Sequence, residues 1–319
     1  MKFFETNFNE YLNTSNHENL HPNFIKYFSQ FPNTIENLKN IVFYGPPGIG
    51  KYTQVLRCIK KYSPSELKYE KKLICNFNKT NYFFKISDIH FEIDMALLGC
   101  NAKLLWNDIF INIVDVLSSR VNKNGIILCK NFHKIHSELL DCFYSYIQKN
   151  YTSINIIFFI LTESISFIPD NIINTCHIVS VPRPSKTSYN KIVNKKLPNT
   201  LNIKNITNIK SLYCNEIIIN NNVHNYLDKL YNFLCNPDLI KFTTFRDEIY
   251  DIFIYDIDIG FTLWNIIYRL LKENKITEAN YSYVFIETYS FLQFYNNNYR
   301  PIYHLENYLY KIINLINEL

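Results

Sequence analysis

Three of the six glycines in this 319-residue chain fall within residues 45–53, Gly-Pro-Pro-Gly-Ile-Gly-Lys-Tyr-Thr. An apolar run, 41–44, precedes this stretch, and a segment with helical spacing follows it. Glycine alone takes positive φ, or lies close against another group, at little steric cost. Strand, glycine-rich loop and helix in this order let backbone N–H groups, a helix N-terminus and a lysine surround a phosphate chain. The sequence therefore predicts a phosphate-binding loop.

We expect the whole loop to bind a nucleotide, through Gly45, Pro46, Pro47, Gly48, Ile49, Gly50, Lys51, Tyr52 and Thr53. The position after the lysine departs from the pattern, because Ser or Thr there normally supplies a hydroxyl to Mg²⁺. The phenol of Tyr52 sits too far from the backbone to replace that hydroxyl, and Thr53 points about 100° away around a helix. Phosphate binding is expected to survive, whereas Mg²⁺ and metal-assisted hydrolysis are doubtful.

Length and composition indicate a globular protein of two or three domains. Hydrophobic residues make up 47% and charged residues 19%, which excludes a disordered chain. The net charge of +5 permits a polyanionic partner but is weaker than the basic stripe of a dedicated DNA-binding domain. With eight cysteines but no CxxC pair, no secretory leader and only short apolar runs, we expect a soluble intracellular protein with free thiols and no membrane association.

Apolar runs of strand length alternate with helical stretches as far as residue 183, which predicts one α/β domain with a parallel sheet covered on both faces. The predicted strands are 41–44, 82–86, 126–129, 154–161 and 178–181. The predicted helices are one after Pro22, then 53–62, 102–118 and 137–149. Pro182-Arg183-Pro184 favours an extended connector.

The rest of the chain is predicted to form a small second domain, 184–216, and a helical domain, 217–319. The small domain contains one helical stretch near 189–196, followed by a low-complexity segment. The helical domain has broad apolar faces, which are typical of a bundle that also packs against other subunits. Its predicted helices are 242–253, 263–271, 284–295 and 305–316.

The end of the predicted strand 126–129 is the expected location of the catalytic side chains of the nucleotide site. A hydrolysing protein of this kind needs carboxylates at such a strand end, to hold Mg²⁺ and to orient water. Lys130 and Asn131 follow instead, and no acidic residue appears until Glu138. We therefore predict no catalytic residue and no intrinsic ATPase activity.

Two clusters of possible metal ligands have simpler explanations. The first cluster contains Cys129, His133, His136 and Cys142, whose spacing matches no standard zinc site. In addition, Cys129 ends a predicted strand and Cys142 lies on the apolar face of the next predicted helix. Asp251, Asp256 and Asp258 alternate with apolar residues, which is typical of a solvated edge. No metal-binding residue is predicted.

Four stretches resemble the small subunits of replication factor C, the clamp-loader family, and among them the subunit with a degenerate ATPase site. The loop 44–53 resembles that subunit's loop, which also replaces the Ser/Thr after lysine. The others are His90-Phe91-Glu92-Ile93-Asp94 with Gly99-Cys100-Asn101, Val181-Pro182-Arg183-Pro184-Ser185, and Ile302-Tyr303-His304-Leu305-Glu306.

The resemblance implies an α/β AAA+ P-loop core at 1–183, a reduced lid at 184–216 and an all-α collar at 217–319. It further implies a hetero-pentamer with other clamp-loader subunits, which loads a sliding clamp onto primer–template DNA through backbone contacts. ATP, or ADP, would bind between subunits. The implied location is the nucleus or a viral replication compartment.

The chain departs from the family at its catalytic groups. The arginine that serves a neighbouring ATP falls on Asn174-Thr175-Cys176, and the acidic strand end falls on Lys130-Asn131. The polar sensor falls near Thr162 and Glu163, and the lid arginine near Ile209 and Lys210; the N-terminal Tyr-Arg-Pro motif is absent. We therefore predict an ATP-binding, hydrolysis-deficient subunit acting in DNA replication. Two alternatives remain: a stand-alone P-loop ATPase or nucleotide kinase, which needs acidic residues facing Lys51, and a structural scaffold with a vestigial loop.

Overall fold

The computed structural model describes residues 7–16, 19–77, 80–99, 101–149, 153–193, 196–197, 203, 206, 209, 218–254, 257–295 and 301–317. The chain divides into two compact units, Met1–Cys214 and Asn215–Leu319. The three-part division at residues 183 and 216 stays a prediction.

A seven-stranded, mostly parallel sheet forms the centre of the first unit. Its strands are β1 (Asn40–Tyr44), β2 (Lys71–Phe77), β3 (Thr80–Ile86), β4 (His90–Asp94), β5 (Asn124–Lys130), β6 (Asn155–Thr162) and β7 (Cys176–Ser180). The order across the sheet is β2-β3-β4-β5-β6-β1-β7. Strands β4, β5, β6, β1 and β7 are parallel, so their carboxyl ends meet at one edge of the sheet.

Successive residues of each strand point to opposite sides of the sheet, so both faces carry apolar side chains, and helices cover both faces. The helices are α1 (Phe8–Asn16), α2 (Asn23–Ser29), α3 (Lys51–Lys60), α4 (Ala102–Ser119), α5 (Ser137–Ile147), α6 (Asp170–Ile173) and α7 (Lys186–Val193). On β1, Val42 joins a core built with Trp106 and Phe143, whereas Ile41 and Phe43 join the core on the other face. The predicted α/β core is confirmed.

Three details of the prediction for this unit were wrong. Strand 82–86 was expected in a parallel sheet, but β3 pairs antiparallel with both β2 and β4. Strands β2 and β4 were not predicted, because their lysine, histidine and acidic residues interrupt the apolar pattern. The helix expected at 189–196 is Lys186–Val193, so it begins directly after the Pro182-Arg183-Pro184 connector.

The second unit is all-helical in its described residues, as predicted. Its helices are α8 (Ile218–Cys235), α9 (Phe242–Ile254), α10 (Ile259–Lys272), α11 (Tyr281–Tyr295) and α12 (Pro301–Asn317). Their apolar faces share one core, and Asp258 caps α10 by accepting a hydrogen bond from the Phe261 N–H. Helix α8 was not predicted individually, because asparagines interrupt its apolar spacing. Among the described residues no helix is long and apolar enough to cross a membrane.

Candidate nucleotide-binding site

The glycine-rich loop joins the carboxyl end of β1 to the N-terminus of α3. Gly45, Gly48 and Gly50 all have positive φ, at 155°, 69° and 83°. A Cβ on Gly45 would overlap the carbonyl oxygen of Val181 and lie 2.8 Å from Cδ1 of Ile49. The loop backbone therefore passes against the end of β7 at a point where only glycine fits.

Side chains from distant segments hold the carbonyl oxygens of this loop. The hydroxyl of Tyr189 donates to the Gly48 oxygen at 2.9 Å, and Nε2 of His21 lies 2.8 Å from the Ile49 oxygen. Burial lowers the pKa of His21, so its ring is neutral and donates this bond through Nε2–H. The loop is thereby fixed with two carbonyls turned toward the protein.

Unlike these carbonyl groups, several N–H groups of the loop make no hydrogen bond to a described residue. Among the described residues none accepts a hydrogen bond from the N–H of Gly48, Ile49 or Gly50. The first-turn N–H groups of α3 have no partner within the helix by geometry, and the helix dipole adds positive potential there. Together they form the arrangement that binds a phosphate chain.

Lys51 lies at the first position of α3, with its amino group folded back onto the loop. Nζ donates to the Gly45 oxygen at 2.6 Å and to the Pro46 oxygen at 2.7 Å. Burial lowers the pKa of Lys51 to about 8, although Glu163 opposes this shift; Arg183 adds to it. An anion in the loop would raise the pKa of this ammonium and compete for it with the two carbonyls.

Tyr52, Glu92 and Lys130 form a closed cluster, the Tyr52–Glu92–Lys130 cluster. The Tyr52 hydroxyl donates to one oxygen of Glu92 at 2.6 Å, and Nζ of Lys130 lies 2.8 Å from the other. The Lys130 ammonium also lies 5.0 Å from the centre of the Tyr52 ring. Burial alone would raise the pKa of Glu92, but Lys130 and Tyr52 outweigh it and hold that pKa below its usual range. All three groups therefore have their partners inside the protein.

Sequence reasoning missed Glu92 and Asp94 as groups of this site. Both oxygens of Asp94 accept from Nδ2 of Asn131, each at 3.0 Å. Strand β4 places the two carboxylates beside β5, where Asp94 is in register with Lys130. A possible signal was the acidic pair in the stretch His90-Phe91-Glu92-Ile93-Asp94, had that stretch been recognised as a strand.

The remaining predicted residues lie around the loop in different roles. Thr53 accepts or donates a 3.1 Å hydrogen bond with the Tyr11 hydroxyl, away from the loop backbone. Thr162 is buried and donates to the Ser164 carbonyl, so its hydroxyl has a structural partner. Glu163 is exposed and close enough to raise the pKa of Lys51 against the effect of burial.

An apolar group lies on the other side of the loop. A Cβ on Gly50 would be 3.2 Å from Cδ1 of Leu20 and 3.6 Å from Cδ1 of Ile209. These two residues pack with the core of the segment that follows the connector, formed by Tyr189, Val193, Leu197 and Ile206. Arg183 donates to the carbonyls of Ile203 and Ile206 and so ties that segment to the connector. Lys210, a predicted sensor position, lies outside the described residues.

Mg²⁺ does not fit the residues of this site. It requires near-octahedral oxygen ligands at about 2.1 Å. The two oxygens of Glu92 are held by Tyr52 and Lys130, those of Asp94 by Asn131, and the Lys130 ammonium repels a divalent cation. A phosphate chain fits the chemistry of the loop, because positive-φ glycines, N–H groups with no described acceptor and the Lys51 ammonium are groups that bind phosphate.

Comparison with known proteins gives a distant structural likeness only. No protein-family model matches the sequence, and no curated protein sequence matches it. The Thermotoga maritima RuvB Holliday junction branch migration motor is 14% identical, over 54% of this chain and 48% of that chain, with a TM-score of 0.33. Two structures of RuvB variants give 13% identity with a TM-score of 0.31, over 57% and 48% of the two chains, and 15% with 0.30, over 49% and 42%.

The chain spans about half the length of the RuvB structures that it resembles. Scores this low carry no argument about function.

Proposed function

We propose that residues 45–53 bind ATP or ADP and that the chain does not hydrolyse it. The observation that carries this proposal is the contrast between the two sides of the loop. The phosphate side offers unpaired N–H groups and Lys51, whereas the side that hydrolysis requires is filled by the Tyr52–Glu92–Lys130 cluster. Binding and chemistry need different groups, and the chain retains those for binding.

We expect Lys51→Ala to weaken ATP binding at least about thirty-fold, because a charge-assisted contact to the phosphates is lost. Titration calorimetry with the full chain measures this change. In the same preparation, phosphate release by the wild-type chain should not exceed that of Lys51→Ala. Robust turnover that the substitution abolishes would overturn the non-catalytic part of the proposal, and unchanged affinity would overturn the site.

The pH dependence of binding provides a second test, because Lys51 must be charged to hold phosphate. Its pKa in the free protein is about 8, and a bound polyanion raises it, so binding above pH 8 requires the uptake of a proton. We expect affinity for ATP to fall roughly twenty-fold between pH 7.5 and 9.5. Lys51→Arg keeps its charge over this range and should show a nearly constant affinity; a parallel fall in both proteins would assign the effect to another group.

The finer proposal is that the chain is a small subunit of a clamp loader, an AAA+ assembly that loads a sliding clamp onto primer–template DNA during DNA replication. The four motif resemblances support it, as do the broad helical faces of the second unit. That unit exposes large apolar side chains, including Phe261, Trp264, Tyr268, Tyr283, Phe285, Ile286 and Tyr289. Such faces suit packing against other subunits of a hetero-pentamer. Co-purification from the native source should bring clamp-loader subunits and a ring-shaped clamp.

One observation favours the stand-alone ATPase as a second candidate. Glu163 follows β6, the strand next to β1, and influences Lys51, so it lies where a water-orienting carboxylate could act. If this candidate is right, Glu163→Gln abolishes measurable turnover and leaves ATP binding intact. If the loop is vestigial and the chain a scaffold, no ATP binds at millimolar concentration.

A further inference from the structure

Two members of the Tyr52–Glu92–Lys130 cluster occupy sequence positions that supply the ligands of the divalent cation in phosphate-loop proteins. Tyr52 takes the position whose hydroxyl otherwise ligates the metal, directly after Lys51. Lys130 ends β5, two strands from β1, where the metal-holding carboxylate belongs. Two positions that are far apart in the sequence therefore both differ from the metal-binding pattern, one as a bulky phenol and the other as a cation.

The two replacements are joined by a buried carboxylate. The side chain of Glu92 is only 5% exposed, and its two oxygens contact Tyr52 and Lys130. A buried carboxylate is tolerated when it is paired and hydrogen-bonded, and here both conditions are met within the protein. Burial lowers the pKa of Lys130, but Glu92 more than compensates and raises it, so the ammonium stays charged at neutral pH.

Resting on the proposed function, we propose that this cluster takes the place of the divalent cation, so that the loop binds ATP or ADP as the free anion and Mg²⁺ weakens the binding. The phenol ring and the ammonium fill the space of the metal. The bound phosphates meet Lys51, the loop N–H groups and the helix dipole.

The direction of the metal effect follows from charge. In solution the outer phosphates chelate Mg²⁺, so the Mg²⁺ complex of ATP carries its cation toward the position of the cluster. There it meets the Lys130 ammonium and finds the nearby carboxylate oxygens occupied. Repulsion between close like charges at a partly buried site is large enough to change affinity about tenfold or more.

The test compares ATP binding to the full chain in excess EDTA and in an excess of Mg²⁺ over nucleotide. We expect a dissociation constant at least about tenfold lower in EDTA. Tighter binding with Mg²⁺ would overturn the inference while leaving the proposed function in place. No binding under either condition would overturn the proposed function itself.

Variants identify the group responsible. Glu92→Gln keeps an acceptor for Tyr52 but removes the countercharge of Lys130, and it should tighten metal-free binding several-fold. Because Lys130→Met alone leaves a buried carboxylate unpaired, the double variant Lys130→Met with Glu92→Gln is the safer test of charge. In that variant the Mg²⁺ penalty should shrink to less than about twofold. Circular dichroism confirms that each variant is folded.

The matched control is the ion pair of Lys85 and Glu70, whose charged atoms also lie 2.8 Å apart in the same unit. The double variant Lys85→Met with Glu70→Gln should keep the full Mg²⁺ penalty. If both double variants lose the penalty equally, or if Lys130→Met with Glu92→Gln keeps it, the cluster is not its cause and the inference is wrong.

Discussion

Replacing Gly45 with alanine is expected to abolish nucleotide binding and to lower the free energy of unfolding by about 3 kcal/mol. The added methyl group would overlap the Val181 carbonyl oxygen, and the Cδ1 atom of Ile49 lies 2.8 Å away. Backbone cannot give way as a flexible side chain can, so either the loop or the end of β7 must shift. Urea denaturation of the full chain and ATP titration measure the two effects.

Gly99 provides the matched control for this substitution. Its φ is +64°, so alanine is strained there too, but a Cβ would have no heavy atom within 4 Å. Gly99→Ala should therefore cost only the conformational penalty of about 1 kcal/mol and leave ATP affinity unchanged. Equal costs for the two variants would show that the contact between the loop and Val181 does not constrain the loop.

Acidification is expected to destabilise the chain through His90 before its carboxylates are protonated. The side chain is fully buried against Phe8, with Nδ1 hydrogen-bonded to the Ser87 hydroxyl at 2.6 Å. Burial lowers the pKa of His90 to about 4, whereas the unfolded chain has the ordinary value near 6.5. The unfolded state therefore takes up the proton first, and stability falls as the pH drops from about 6.5 to 4.

The expected loss from His90 is about 2 kcal/mol between pH 7 and pH 5. Urea denaturation at the two pH values measures it. His90→Phe keeps a ring of similar size against Phe8 and should remove most of the loss. His177→Phe, at an exposed position of the same unit, should leave it as in the wild-type chain. Identical acid sensitivity in all three proteins would place the titrating group elsewhere.

The sequence was sufficient for the parts of the fold that one residue type or one periodicity determines. Strands β1, β5 and β6 are apolar on both faces and were predicted from their runs alone. The loop was predicted because three glycines within nine residues indicate a backbone that needs positive φ or lies close against another group. Strand β4 was missed because His90 and Glu92 look like surface residues, and only their hydrogen bonds explain why they are buried.

The candidate site could be predicted only one residue at a time. Tyr52 and Lys130 were each recognised as departures from a hydrolytic site. Their connection through Glu92 depends on the pairing of β4 with β5, which no local pattern specifies. The same applies to the partners of the loop carbonyls: His21 is 28 residues from Ile49 and Tyr189 is 141 residues from Gly48. Contacts at such separation are set by tertiary packing.

The bond from Tyr189 to Gly48 links the loop to helix α7, beyond the proline-flanked connector. A ligand that displaces the loop must break this bond or move the helix with it. Under the proposed function, binding of a nucleotide would therefore change this link without any hydrolysis.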